Sequence, residues 1–202
     1  MVGEHGTAIF GPMATFIAGV WGAQAAMAAV YLLLLYGFTR RSPWTFMRTT
    51  APLYATTAAT CSSLASLVVS LELAEKRLHL ARTVYSFTLP LGAQMNKDGT
   101  SIMLTSVLAM TAQAAGVDFS MASLLTVMLI GLMLSSSAGG IPGGGLVTAM
   151  IFVQAFHLPL EIAAIVGGIY RLIDMGSTTI NCMGDLVGTS IVAHTLEGKH
   201  EE

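Results

Sequence analysis

The sequence has 202 residues, of which 54% are hydrophobic and only 10% are charged, with a formal net charge of −2. A soluble domain needs far more charge to cover its surface, so this composition excludes one and predicts a multi-pass protein of the plasma or inner membrane, surrounded by the lipid bilayer. The slightly negative charge argues against a nucleic-acid partner, which would require a basic surface.

The first two predicted elements differ sharply in polarity. Segment 13–38 is apolar and uncharged and is followed by Arg40 and Arg41. Because about 20 apolar residues suffice to cross a bilayer as a helix, we predict a transmembrane helix there. Segment 43–82 has a small, polar middle instead, at Thr60-Cys61-Ser62-Ser63. We predict a first re-entrant hairpin, formed by two half-length helices that meet at this tip.

Three further segments are also interrupted or polar. Segment 84–117 is predicted to be a transmembrane helix broken at 96–100, and segment 120–158 a second re-entrant hairpin whose tip is rich in serine and glycine. Segment 161–195 is predicted to be one long last helix with polar residues along it. Non-helical backbone within a membrane is tolerated only where protein or water satisfies it, and such breaks are typical of binding sites in secondary transporters.

The basic residues predict the orientation of the two hairpins. Lys and Arg follow the first helix and the first hairpin, whereas the loops near Asp118 and Glu161 contain neither. Basic loops face the cytoplasm, so the first hairpin should enter from the cytoplasm and the second from outside. The predicted fold is an all-α polytopic membrane protein with two inverted re-entrant hairpins, a broken helix and a polar-striped last helix.

Ionisable residues inside the membrane mark the candidate site. Asp174, Thr178, Asn181 and Asp185 are spaced by four, three and four residues, which places them on one face of the last helix. Such a face must point into the protein or a cavity; hydrogen bonding between helices for assembly is the alternative. Asp174 and Asp185 would lie about 16 Å apart on one helix, too far to share a proton as in an aspartyl protease. We therefore do not expect an enzyme.

Four motifs in order carry a resemblance to a known family. The sequence 85–93 followed by Asn96-Lys97-Asp98-Gly99-Thr100 resembles the broken helix of the dicarboxylate/amino acid:cation symporter family, the glutamate-transporter family, whose motif usually reads Asn-Met-Asp-Gly-Thr. Segments 140–145 and 60–63 resemble the tips of its second and first hairpins. Asp174-Met175-Gly176, Asn181 and Gly184-Asp185 resemble its last helix. The resemblance covers the second half of a family member.

This resemblance implies a function and a partial domain. It implies a secondary active, cation-coupled symporter of amino acids that works by an elevator-type displacement, with the second hairpin as outer gate. Na⁺ or H⁺ would be the coupling ion, and no organic cofactor is implied. Chain 1–202 would be a partial transport domain that lacks the N-terminal scaffold half, and a homotrimer is expected if that half completes it. A truncated non-transporting remnant, a half-transporter and a passive channel stay open as alternatives.

The resemblance also implies the site residues. The implied substrate-binding residues are Ser62, Ser63, Thr100, Ile141, Asp174, Ser177, Thr178 and Asn181. A first cation would take backbone carbonyls of Gly92, Asn96 and Asn181 together with the Asp185 carboxylate. A second cation would take Asp98 and the Asn96 side chain, and a third would lie near the backbone of Gln94, Ser135, Ser136 and Ala138.

Departures from the family pattern bear on the substrate. Ser177 stands where family members with acidic substrates have an arginine, and Cys61 stands where other members place it. Since arginine is suited to bind a side-chain carboxylate, its absence favours small neutral amino acids over acidic amino acids or dicarboxylates, which remain the alternative. Arg171 lies three residues before Asp174, and we expect a structural ion pair between them rather than a contact with the substrate.

Lys97 is the second departure, because it replaces the methionine of the family motif near the third cation site. One hypothesis is that its ammonium group occupies that site as a tethered cation, which would reduce coupling to sodium. The alternative is that Lys97 points elsewhere and pairs with Asp98 or with a carboxylate from the missing half.

Overall fold

The structure is a computed structural model that describes residues 10–198, so residues 1–9 and 199–202 of the predicted domain lie outside it. Its regular secondary structure over these residues is entirely helical, which confirms the predicted all-α class. The helices are α1 (Phe10–Thr39), α2 (Pro43–Thr60), α3 (Ser63–Lys76), α4 (Arg82–Met95), α5 (Asp98–Ala114), α6 (Met121–Ser137), α7 (Gly144–Ala155), α8 (Leu160–Gly167) and α9 (Tyr170–Gly198).

Serine side chains begin three of these helices. Ser42, Ser62 and Ser120 precede α2, α3 and α6, and each hydroxyl accepts a hydrogen bond from a backbone N–H in the first turn. The first turn of a helix has N–H groups without an intrahelical partner, which such caps satisfy. The polar residues that interrupt the apolar sequence therefore fix where the helices start.

Two pairs of helices are joined by tight turns. Helices α2 and α3 pack together around a turn at Cys61, whose φ of 49° is left-handed. Helices α6 and α7 pack together around residues 138–143, where Gly139 and Gly143 have φ values of 64° and 81°. Only glycine adopts this conformation freely, so the glycines of the second turn allow the chain to reverse there. Helices α4 and α5 are separated by Asn96 and Lys97.

The last predicted helix differs from the structure. Segment 161–195 was expected to be one helix, but the structure divides it into α8 and α9 at Gly168 and Ile169. Gly167 and Gly168 are adjacent, and each glycine disfavours a helix interior by about 1 kcal/mol relative to alanine. The divided segment lets α8 pack separately against α5 and α7.

Two apolar clusters form the core on either side of the polar residues of α9. One cluster joins α2, α3 and α4 to the C-terminal parts of α1 and α9, with Leu53 and Leu89 fully buried. The other joins α5, α6, α7 and α8 to the N-terminal parts of α1 and α9, with Leu104 and Phe152 fully buried. Residues 174–181 of α9 lie where one cluster gives way to the other. The breaks at 61–62, 96–97 and 138–143 gather at the same level.

Several helices present apolar side chains outward. Residues Gly11–Thr39 are long and apolar enough to cross a membrane, and α6 and α7 are shorter apolar helices. Large hydrophobic side chains are exposed on α1 and α6, including Leu33, Phe38, Met121, Met128 and Met133. Exposed apolar surface of this extent is expected where a helix faces lipid or another protein.

Candidate substrate and cation site

The helix breaks enclose a small polar cavity against α9. Its volume is about 10 Å³, which is room for about one water molecule. Its lining brings together residues from both tips, the broken helix and α9: Cys61, Ser63, Lys97, Thr100, Ala138, Gly139, Gly140, Ile141, Gly145, Asp174, Thr178 and Asn181. Six of the eight predicted substrate residues are in this set, and only Ser62 and Ser177 are not.

The polar face of α9 supplies one side of the cavity. Asp174, Thr178 and Asn181 are buried, and the Thr178 hydroxyl donates to Asp174 Oδ1 at 3.4 Å. Asn181 Nδ2 donates to Thr100 Oγ1 at 3.0 Å, and Asn181 Oδ1 accepts the Gly99 N–H at 2.8 Å. Asn181 therefore anchors the start of α5 to α9, so that the broken helix and the last helix form one polar surface.

The two hairpin tips are hydrogen-bonded to each other above this surface. The Ser62 hydroxyl donates to the Gly140 carbonyl at 2.6 Å, and the Leu64 N–H donates to the same oxygen at 3.2 Å. Ser62 thus holds the tips together rather than lining the cavity. Ser63 and Ile141 lie on either side of the contact and do line it. The two tips therefore meet beside the cavity.

A carboxylate and several amide oxygens form a second cluster, deeper along α9. Asn96 Nδ2 donates to the Asn181 carbonyl at 3.0 Å and to Asp185 Oδ1 at 3.1 Å. Gly92 packs so closely on Asp185 that a Cβ at this position would lie 2.4 Å from Asp185 Oδ1. The structure therefore brings together all four residues predicted for the first cation. Hard oxygens of this kind suit an alkali cation.

Asp98 belongs to the same neighbourhood but has a different partner. Its carboxylate accepts a hydrogen bond from the Tyr31 hydroxyl of α1, and both residues line a cavity of about 450 Å³ with Asn96 and Asp185. The Asn96 amide, which was predicted to serve the Asp98 cation, is directed to Asp185 instead. Asp98 is therefore tied to the first helix of the chain.

The four residues predicted for a third cation are only partly gathered. Ala138 lines the cavity, and the buried Ser135 hydroxyl accepts from Ser101 Oγ at 2.7 Å. Gln94 and Ser136 are exposed. The Ala93 carbonyl oxygen lies 3.4 Å from where a Cβ on Gly140 would lie. The role of Gln94 in a third cation site stays a prediction.

Ser177 does not line the cavity, and its role as a substrate residue stays a prediction. It is fully buried, accepts from Gln24 Nε2 of α1 at 3.0 Å and donates to the Ile173 carbonyl at 3.2 Å. Its backbone packs against Gly99 so tightly that a Cβ there would lie 2.2 Å from the Ser177 carbonyl oxygen. The Ser177 hydroxyl therefore contributes to the packing of α9 against α1.

The expected ion pair of Arg171 with Asp174 is corrected. The Arg171 guanidinium donates from Nη2 to the Ala59 carbonyl at 2.6 Å, near the end of α2. Carbonyls in the last turn of a helix have no intrahelical partner and attract cations. Over residues 10–198 the one ion pair closer than 4.0 Å is the exposed Lys76–Glu72 pair. Arg171 therefore joins α9 to the first hairpin. Asp174 has no ion-pair partner within 4.0 Å among the described residues.

Lys97 lines the cavity instead of pairing with Asp98. It is 3% exposed, and its ammonium donates to the Ala93 carbonyl at 2.6 Å. No carboxylate of the described residues lies within 4.0 Å of this nitrogen. The alternative in which Lys97 pairs with Asp98 is thereby excluded for this structure.

Sequence reasoning missed Gln24 and Tyr31, two polar residues of α1 that touch the site. They are seven residues apart, about two helical turns, and so lie on one face. A glutamine in an otherwise apolar helix is a signal that could have revealed this face, because buried polar groups need partners.

Comparisons with known proteins identify the family of this chain. A profile of the sodium:dicarboxylate symporter family matches residues 1–195. The chain belongs to the sodium:dicarboxylate symporter family. This membership confirms the resemblance that the motifs carried. It also confirms that the chain's relatives are membrane transporters and not enzymes.

Individual relatives of the chain include transporters of two substrate classes. It is 32% identical to excitatory amino acid transporter 3 of Mus musculus over 91% of the chain and 35% of the relative. It is 33% identical to an excitatory amino acid transporter of Caenorhabditis elegans over 80% of the chain and 32% of the relative. With human neutral amino acid transporter A it shares 30% identity over 84% of the chain and 33% of the relative. The matched region spans about a third of the relatives' length, less than the half expected from the motifs.

Proposed function

We propose that this chain forms the substrate- and cation-binding core of a sodium-coupled amino-acid symporter. The observation that carries the proposal is the convergence of Asp174, Thr178 and Asn181 with both hairpin tips, directly beside the oxygen cluster of Asp185. A free amino acid presents an ammonium and a carboxylate. The Asp174 carboxylate is suited to the first, and hydroxyl, amide and backbone N–H donors are suited to the second.

Sodium fits the oxygen cluster beside this cavity. Asp185 supplies a charged oxygen, and the Asn181 carbonyl, now bonded to Asn96, supplies a neutral one. We propose that a sodium ion displaces the Asn96 amide from these oxygens. Asn181 lies in both clusters, so a cation on its carbonyl would orient the side chain that meets the amino acid. Substrate and cation binding would then strengthen each other.

A small neutral amino acid is the favoured substrate. Ser177 provides no cation for a side-chain carboxylate, and Cys61 at the first tip provides none either. The cavity is small, so binding also requires the tips to part. An acidic substrate is the second candidate, favoured by the ammonium of Lys97 in the cavity lining.

We further propose that the second hairpin is the outer gate and that the assembly works by an elevator-type movement. The glycine-rich turn at 138–143 supports a mobile tip, since Gly139 and Gly143 have φ values open to few other residues. The re-entrant topology, a plasma or inner membrane location and a homotrimer completed by further sequence belong to this proposal. A truncated non-transporting remnant, a half-transporter and a passive channel are the remaining alternatives.

Asp174→Asn tests the proposal. Removing one partner of a buried charge pair costs about 2 kcal/mol or more, so amino-acid affinity should fall by about 30-fold or more. The measurement is isothermal titration of the purified full chain in lipid nanodiscs with L-serine, L-alanine and L-aspartate.

The matched control is Asp118→Asn, which removes the same charge from an exposed loop and should leave the affinity unchanged. Unchanged affinity in Asp174→Asn, with wild-type binding present, would refute the role of Asp174.

A further inference from the structure

The break between α4 and α5 holds a lysine that folds back on the helix before it. Lys97 is the residue preceding α5, and its ammonium reaches the carbonyl of Ala93, in the last turn of α4, at 2.6 Å. Carbonyls of a last helical turn lack an intrahelical partner and carry partial negative charge. They are therefore the type of oxygen that binds an alkali cation where a helix is interrupted in a transporter.

The surroundings of this ammonium are those of a cation site. Lys97 is buried, and no carboxylate of the described residues lies within 4.0 Å of its nitrogen. An ammonium has three N–H donors, and the structure gives it one acceptor, the Ala93 oxygen. Two donors remain for oxygens that approach from the second tip or from a ligand.

The second hairpin tip lies directly over this group. Gly140 packs against the Ala93 carbonyl, and Ala138 and Gly139 line the same cavity as Lys97. The cavity volume of about 10 Å³ leaves no room for a separate ion with its ligands beside the ammonium. The Lys97 amino group therefore already lies between the end of α4 and the turn that would close over the substrate.

From this arrangement we infer that Lys97 is a built-in monovalent cation of the site. Closure of the second hairpin over a substrate should then need one sodium ion fewer than in a chain with the family's methionine at this position. The inference rests on the proposed function, because it assumes that sodium binds at the Asp185 cluster. A lysine ammonium is a compact point charge with rotatable donors, which allows it to replace a small ion among backbone oxygens.

The test compares the sodium response of the full chain with that of Lys97→Met and Lys97→Gln in nanodiscs. The first readout needs no amino acid: the melting temperature is measured against sodium concentration, with choline holding the ionic strength constant. Removing the ammonium should open a sodium site. The melting temperature should then rise more steeply with sodium concentration than in the wild type. The difference in slope should correspond to about one further bound sodium ion. The second readout is amino-acid affinity in choline, which should fall by about tenfold or more in both variants.

Lys76→Met is the matched control, because it removes an exposed lysine on α3 and should change neither readout. A sodium response in both Lys97 variants equal to the wild type would overturn the inference. So would variants that unfold whether or not sodium is present, since Lys97 would then be structural. Loss of aspartate binding with an unchanged sodium response would also overturn it and would assign Lys97 to a substrate carboxylate. If the wild type binds no amino acid, the proposed function fails, while the sodium readout still decides the role of Lys97.

Discussion

At the scale of single residues, Gly92 can approach the Asp185 cluster closely because it has no side chain. It lies on α4 directly against the Asp185 carboxylate of α9. Any Cβ at this position would overlap with Oδ1. Because of this close approach, the Gly92 backbone and the Asp185 carboxylate line the same cavity. An ion bound by both residues would need this arrangement.

Gly92→Ala should disturb this cluster. The new Cβ would lie 2.4 Å from Asp185 Oδ1, so the carboxylate must move away. Overpacking of this kind costs about 1–3 kcal/mol. We expect a lower melting temperature and a weaker stabilisation by sodium, measured by thermal unfolding in sodium and in choline.

Gly188→Ala is the matched control on the same cavity. A Cβ on Gly188 would meet no atom of another element within 4 Å, and in a helix the change should stabilise by about 0.5–1 kcal/mol. A wild-type sodium response in Gly92→Ala would show that the Asp185 cluster binds no sodium.

The sequence predicted the α9 face better than it predicted the contacts of single residues. Asp174, Thr178 and Asn181 could be grouped because helical spacing alone decides which of them share a face. Ser177 and Arg171 could not be placed, because their partners, Gln24 and Ala59, come from elements far away in the sequence. Spacing within one helix carries no information about which neighbour packs against it.

At the scale of the helical elements, the two hairpin tips are joined by a hydrogen bond from Ser62 to Gly140 beside the cavity. Ser62 has two roles, since its oxygen accepts the Ala65 N–H at 3.1 Å and its hydroxyl donates to the Gly140 carbonyl. The first bond stabilises the start of α3. The second joins the first hairpin to the second.

Ser62→Ala should loosen the tips. Loss of a helix cap costs about 0.5–2 kcal/mol, and loss of the bond to Gly140 adds to it. Cys61, which is buried at the first tip, should then react faster with maleimide. The rate is measured in a Cys182→Ser background, where Cys61 is the remaining thiol of the chain.

The control is Ser120→Ala in the same background. Ser120 caps α6 in the same way, accepting the Ser123 N–H at 3.2 Å, but is exposed and lies away from both tips. It should lose similar cap energy without changing the reactivity of Cys61. Equal reactivity in the two variants would mean that the bond to Gly140 does not hold the tips closed.

The elements themselves were predictable where polar residues or glycines interrupt apolar sequence. The tips at 60–63 and 135–145 and the break at 96–100 all lie where the structure ends one helix and begins another. The division of α8 from α9 was missed, because the helical spacing of the acidic and amide residues in 171–185 favours one continuous helix. Gly167-Gly168 was the signal that marked this boundary.

At the scale of the whole molecule, two apolar clusters flank one polar layer. Helices α1 and α9 pass through both clusters and hold them together. Each hairpin belongs to a different cluster, so their tips meet only at the polar layer. The proposed movement of the second hairpin would therefore leave the cluster of the first hairpin packed.

Calorimetric titration of L-serine, L-alanine and L-aspartate into the wild-type full chain in nanodiscs, in sodium and in choline, would decide whether this chain forms an amino-acid site. We expect saturable binding of serine or alanine that is stronger than binding of aspartate and is enhanced by sodium. Binding of none of the three in either salt would contradict the claim that this chain forms an amino-acid site.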